Sequence, residues 1–180
     1  MCVIPTAALQ QATQVARHDR LKSMIATIVE GSGDDGVAVA AQLLHDFNVE
    51  YDEPAPPPDE LAVRLGELIA GDNVAVLLAR EQVAGAAVGV AVMRVQPSLW
   101  SRAQEAYLAE LYVKPDRRGR GHGRELITEA LRVAQERGAD YAFLVTSEDD
   151  HRAQRLYGAA GFRRTEGEGG PLLLAYEREL

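Results

Sequence analysis

The residues best suited to chemistry lie at 117–124, Arg-Arg-Gly-Arg-Gly-His-Gly-Arg. An apolar stretch, Leu111-Tyr112-Val113, runs into them through Pro115, and a helical pattern begins at once after them. Gly119, Gly121 and Gly123 let the backbone turn sharply and expose successive N–H groups. Those donors fall at the positive end of the new helix, where amides lack intrahelical acceptors. Arg118 and Arg120 add full charges. The arrangement is a socket for a pyrophosphate or a similar anion. Its glycines run G-x-G-x-G, which disfavours a dinucleotide fingerprint, and a Walker A loop would need Gly-Lys-Ser/Thr.

A scaffold must hold that loop, and hydropathy patterning predicts one. Residues 21–30 read as a strand, and VAVAAQLLHDFN (37–48) as a helix capped by Asp34 or Asp35. The Pro-rich segment YDEPAPPPDE (51–60) cannot continue that helix. Asp59 is expected to cap a second helix that Gly71 stops. NVAVLLAR (73–80), QVAGAAVGVAVMRVQ (82–96) and AYLAELYV (106–113) read as strands. GRELITEALRVAQERG (123–138) is an amphipathic helix with Leu126, Ile127, Ala130, Leu131 and Ala134 on its buried stripe. YAFLVTS (141–147) is a strand and HRAQRLYGAAG (151–161) a helix. FRRTEG and PLLLAYERE read as a terminal strand pair. The predicted order is β-α-α-β-β-β-α-β-α-β-β, an α/β (α+β) mixed sheet flanked by helices. Residues 1–20 read as an N-terminal extension to a single domain at 21–180.

Charge narrows the function classes. The chain has 180 residues, 27 acidic and 19 basic, for a formal net charge of −8. Residues 31–60 hold eight of the acids and no Lys or Arg, whereas residues 114–124 hold five basic residues against Asp116. A pI near 5.0 argues against broad nucleic-acid or anionic-membrane binding. No apolar stretch approaches a membrane span. The N-terminus lacks the apolar core of a secretory signal, and Cys2, the one cysteine, cannot form an intramolecular disulfide. A cytoplasmic location is expected. His45 and His122 show no metal-ligand spacing and are expected at the surface.

The loop, read as Arg118-Gly119-Arg120-Gly121-His122-Gly123, resembles the Arg/Gln-x-x-Gly-x-Gly/Ala signature of the GNAT family of N-acetyltransferases. A second signature of that family, N-x-x-A-x-x-L-Y-x-x-x-G-F, is similar to Asp150-His151-Arg152-Ala153-Gln154-Arg155-Leu156-Tyr157-Gly158-Ala159-Ala160-Gly161-Phe162. The departure is Asp150 where Asn is common, so an Asn-specific cofactor contact is not carried over. The resemblance is tight across 107–165, and the order of elements extends it to about 21–180. It implies a GNAT-like, mostly antiparallel central sheet.

It also implies transfer of an acetyl group from acetyl-CoA directly to an amine, with no metal. Arg118, Gly119, Arg120, Gly121, His122 and Gly123 would hold the CoA pyrophosphate. Leu111, Tyr112 and Val113 would line the thioester and pantetheine arm, and a strand N–H would stabilise the developing oxyanion. Tyr157 matches the family's general acid. Glu110, the one carboxylate within 106–113, is the candidate base, acting directly or through a water; it would otherwise hold a substrate ammonium or pair with an Arg. The segment joining the first two helices would border the acceptor, placing Phe47, Glu50, Tyr51, Asp52 and Glu53 beside a cationic amine such as a polyamine or an aminoglycoside-like compound. Protein amines are the close alternative, and a CoA-binding regulatory module without turnover is the alternative of another class. Dimers are frequent among similar proteins, so a homodimer is expected.

Overall fold

The computed structural model of the chain describes residues 25–29, 35–82 and 85–179. The proposed extension at 1–20 and the cap at Asp34 lie outside them. In chain order the elements are β1 (Ile25–Ile28), α1 (Asp35–Glu50), α2 (Pro58–Ala70), β2 (Val74–Arg80), β3 (Ala87–Pro97), β4 (Gln104–Val113), a 3-10 turn (Pro115–Arg117), α3 (His122–Glu136), β5 (Ala139–Phe143) and α4 (His151–Ala159). The strands form one sheet in the order β1-β2-β3-β4-β5. Pairing is antiparallel throughout except between β4 and β5, which run parallel.

The two central strands are apolar on both faces, so the sheet is sandwiched. Leu77, Met93, Ala106 and Leu108 meet Leu126, Ile127, Ala130, Val133 and Ala134 of α3 on one face. Val76, Leu78, Val90, Val92 and Tyr112 meet Val37, Ala40, Ala41 and Leu43 of α1 and Leu65 of α2 on the other. The predicted α3 stripe is buried as expected apart from Leu131, which is partly exposed, and Val133 joins it. Each Val, Leu, Ile or Met among them contributes roughly 1.5–3 kcal/mol when fully buried, and each Ala less.

Local chemistry differs from expectation in three places. Asp59 does not cap α2: Pro57 occupies the cap position, Pro58 opens the helix, and Asp59 lies in the first turn, where its charge suits the helix dipole. Gly71 does end α2, but in a right-handed conformation, and Asp72 takes the left-handed one (φ 60°). The terminal strand pair is reduced to a single antiparallel bridge, Thr165 with Leu172. Neither segment pairs with the sheet, although β5 is its last strand.

Two irregularities shape the site. Val92 opposes Glu110 and Met93 opposes Leu108, so Ala109 is an extra residue and β4 bulges there. In addition, β5 pairs with β4 only over Gln104–Tyr107. Beyond Tyr107 the two parallel strands separate, and Leu108–Val113 keeps β3 as its one strand neighbour. The sheet is split open on that side. The Pro-rich segment folds back on α1, since His45 Nδ1 lies 3.0 Å from the Pro56 carbonyl and Asn48 Nδ2 donates to the Pro54 carbonyl at 2.9 Å.

Candidate active site

A cleft of about 930 Å³ fills the split. It is walled by Leu108–Val113 of β4, the loop entering α3, residues 145–147 after β5, and Leu156 and Tyr157 of α4, with Phe47 and Tyr51 at its α1 side.

The floor at the loop is a row of donors. Gly119 (φ 77°) and Gly121 (φ 104°) take left-handed conformations that L side chains rarely adopt, and they turn the chain into α3. The N–H groups of residues 119–124 find no acceptor among the described residues. Six neighbouring donors at a helix N-terminus suit a multiply charged phosphate group. Gly123 serves packing: a Cβ there would stand 3.0 Å from Leu156 Cδ2.

The arginine side chains of the loop are mostly engaged. Arg118 pairs end-on with Glu50 (2.7 and 2.8 Å), donates through Nε to the Val113 carbonyl at 2.8 Å, and lies 5.7 Å from the Tyr112 ring centroid. Burial opposes its charge, and Glu50 more than compensates, so its pKa is raised. Arg117 and Arg120 both donate to Glu81 at 3.2 Å, and Arg120 also reaches the Asp116 carbonyl. His122 corrects the expectation of a surface position. As the first residue of α3 it is directed under the loop, 2% exposed, with neither ring nitrogen hydrogen-bonded and Glu81 3.7 Å away.

At the deep end stand the two candidate acid–base groups. The bulge turns Glu110 to the same face as its partner Val92, the α1 side, whereas Tyr157 packs with the α3-side core. The two approach the split from opposite faces. Burial raises the Glu110 pKa above the ordinary carboxylate range, against the pull of Arg94. Burial, then the charges of Asp150 and Glu110, push the Tyr157 phenol up to about 12. Tyr112 is likewise pushed up to about 12, by burial and by Glu50. Asp150 caps α4 by accepting from the Ala153 N–H at 2.8 Å.

The acceptor-side residues divide. Phe47 and Tyr51 line the cleft as an edge-to-face pair with centroids 5.3 Å apart, and Phe47 also lies 5.4 Å from Tyr112. Glu50 is neutralised by Arg118. Asp52 and Glu53 are exposed and do not line the cleft. Three residues escaped the sequence reading. Glu81 follows β2 and is brought to the loop by the sheet, so no local pattern announces it. Arg124 and Arg152 line the cleft from the first turns of α3 and α4. Their signal was legible: a cation there opposes the helix dipole. Among the described residues, no cluster of three or more His, Cys, Asp or Glu side chains is arranged for a metal, and no helix is long and apolar enough to cross a membrane.

The mixed sheet is split at the end of β4, and the donor-lined loop follows that strand directly. The chain belongs to the acetyltransferase (GNAT) family, whose profile matches residues 40–162. Among curated relatives, an uncharacterized N-acetyltransferase of Archaeoglobus fulgidus is 35% identical over 57% of this chain and 69% of its own. A thialysine N-epsilon-acetyltransferase of Bos taurus is 35% identical over 46% of this chain and 48% of its own, so this match spans about half of that relative. Among solved structures, an Arthrobacter sp. FB24 protein assigned as an acetyltransferase is 38% identical, with a TM-score of 0.76 over 87% of this chain and 96% of that one.

Proposed function

We propose that the chain acetylates a small cationic primary amine, using acetyl-CoA as donor and no covalent acyl-enzyme. The observation that carries the reading is the row of six unpaired N–H groups at 119–124, running toward a strand edge flanked by Glu110 and Tyr157. Acetyl-CoA, when bound, supplies an activated acetyl thioester. The amides of 119–124 would hold its pyrophosphate, and Leu111, Tyr112 and Val113 would line its pantetheine arm. The Val113 carbonyl already accepts from Arg118.

Glu110 has the properties of a base. A carboxylate with a raised pKa, partly desolvated, can take the proton that a Lys-like ammonium of pKa about 10.4 must lose before attack. Tyr157 stays protonated at neutral pH and donates a hydrogen bond to the departing sulfur. Full transfer from a phenol at about 12 to a thiolate of pKa about 8.5 runs uphill by roughly 5 kcal/mol, so Tyr157 acts chiefly by stabilising the anion.

Of the acceptor residues the sequence suggested, the reading now rests on Phe47 and Tyr51, joined by Glu110. Phe47 and Tyr51 offer ring faces to an ammonium, and Glu110 offers the nearby carboxylate. Asp52 and Glu53 would act by long-range attraction alone. The name of the thialysine relative supports a compact, lysine-like amine over a folded protein. A homodimer is supported by the exposed Leu172, Leu173, Leu174 and Tyr176 of the C-terminal segment. Thiol release across a panel of diamines, lysine analogues, aminoglycosides and a Lys peptide tests the function. Turnover restricted to small cationic amines is expected; acetyl-CoA binding without turnover on any amine would assign a sensor instead.

A further inference from the structure

Beside the cleft, the α1 side of the sheet carries an aromatic row. Strand register sets Arg94 of β3 opposite Tyr107 of β4, and Tyr107 opposite Phe143 of β5, with Tyr141 two residues before Phe143. Alternate residues share a face, so Arg94 lies on the side of Val92, and Val92 opposes Glu110. Tyr107 stacks on Phe143 at 5.0 Å and Phe143 on Tyr141 at 6.1 Å, with planes inclined by 23° and 25°. The core under α1 and α2 takes in β2, β3 and Tyr112 but none of these three rings. Tyr141 is 57% exposed and the other two are partly exposed. Arg94 is exposed at the side of the row and makes neither a hydrogen bond nor an ion pair among the described residues. Glu105, further along the same face, accepts from Gln96 Nε2 at 3.1 Å. Burial raises the Glu110 carboxyl, and the Arg94 charge opposes that shift, so the two groups feel one another. One pleat repeat, about 7 Å along the strand, separates Arg94 from the residue facing Glu110.

An unpaired guanidinium and a carboxylate on one face, with rings alongside, match a molecule that carries both an amine and a carboxylate. We infer that Arg94 is a specificity-determining residue that holds the carboxylate of an amino-acid acceptor. The acceptor's apolar chain lies on the Tyr107 and Phe143 rings, and its reacting amine sits at Glu110. This rests on the amine-acetylation reading and narrows its acceptor to lysine-like amines that also bear a carboxylate. Polycations without a carboxylate meet an uncompensated positive charge there and are disfavoured. In the transfer, the C–N bond forms as the C–S bond breaks. Of the two protons the ammonium loses, one goes to Glu110 and the other ends on the CoA sulfur, while the carboxylate on Arg94 is unchanged.

The test is the rate of acetylation of two matched pairs, lysine against lysinamide and ornithine against ornithinamide, by the intact protein with acetyl-CoA. Each amide keeps the side-chain amine and loses the carboxylate. The wild-type protein should favour the acid of at least one pair about tenfold in kcat/KM, through KM, the usual scale for one charge-assisted contact. Arg94→Gln should bring that ratio to about one. The ratio cancels any effect of the lost guanidinium on Glu110, which both members of a pair share. Arg102→Gln removes the same charge from the exposed β3–β4 connection and should keep the wild-type ratio. Equal use of acid and amide by the wild type overturns the inference and leaves amine acetylation standing. So does a preference that survives Arg94→Gln, or one that Arg102→Gln abolishes equally. Turnover on other amines with none on either pair overturns it as well, and no turnover on any amine overturns both readings.

Discussion

Glu50 and Arg118 meet carboxylate to guanidinium through two contacts of 2.7 and 2.8 Å, each side chain about a quarter exposed. The pair ties the last residue of α1, on the acceptor side, to the loop that opens the cofactor side. Its partners were expected to serve two different substrates. Joined, they fix the distance between two walls of the cleft, with the Tyr112 ring beneath.

A double-mutant cycle measures that tie. Glu50→Gln and Arg118→Gln should each destabilise the protein in urea unfolding, and the coupling between them should be about 1–2 kcal/mol. Strictly additive effects would show that the pair contributes no net stability.

Tyr157→Phe removes one hydroxyl from a site that already packs the ring against Phe162 at 6.2 Å. Turnover should fall about 100-fold, with the acetyl-CoA KM within roughly twofold of wild type. Wild-type turnover would leave the residue a packing role.

Glu110 carries opposite consequences for activity and stability. Its folded pKa is raised, so the ionised form costs stability at neutral pH, and that cost disappears as pH falls below its unfolded value near 4.5. Glu110→Gln should therefore raise Tm at pH 7, with the gain vanishing toward pH 4. In the same variant kcat/KM should drop about 10–100-fold, and the acidic limb of the pH–rate profile, set by protonation of Glu110, should disappear. A retained acidic limb would assign the base elsewhere.

Gly121→Ala places a side chain at φ 104° in the donor row. The expected cost is about 1–2 kcal/mol of stability, together with a higher KM for acetyl-CoA and little change in acceptor KM. A KM change confined to the amine would detach this loop from the cofactor.

The strand–loop–helix unit was readable because three signals coincide at fixed spacing: an apolar run ending at Val113, glycines at 119, 121 and 123, and the α3 stripe. The split between β4 and β5 was not, since nothing in the local sequence separates Tyr107, which still pairs with β5, from Leu108, which does not. Asp52 and Glu53 could not be positioned from the sequence because charge counts carry no direction; both are exposed and off the cleft lining. His122 misled for a related reason: within a Gly/Arg run a histidine reads as surface, yet the helix start turns its ring inward. Glu81 is set by strand register, which places it beside residues 36 and more positions away. Such contacts belong to the tertiary fold.

The most direct measurement is a crystal structure with CoA bound. The pyrophosphate is expected on the amides of 119–124 and the sulfur within hydrogen-bonding reach of Tyr157 Oη, with Glu110 across the split from it. Pyrophosphate bound away from that loop, or a sulfur remote from both Tyr157 and Glu110, would contradict the account.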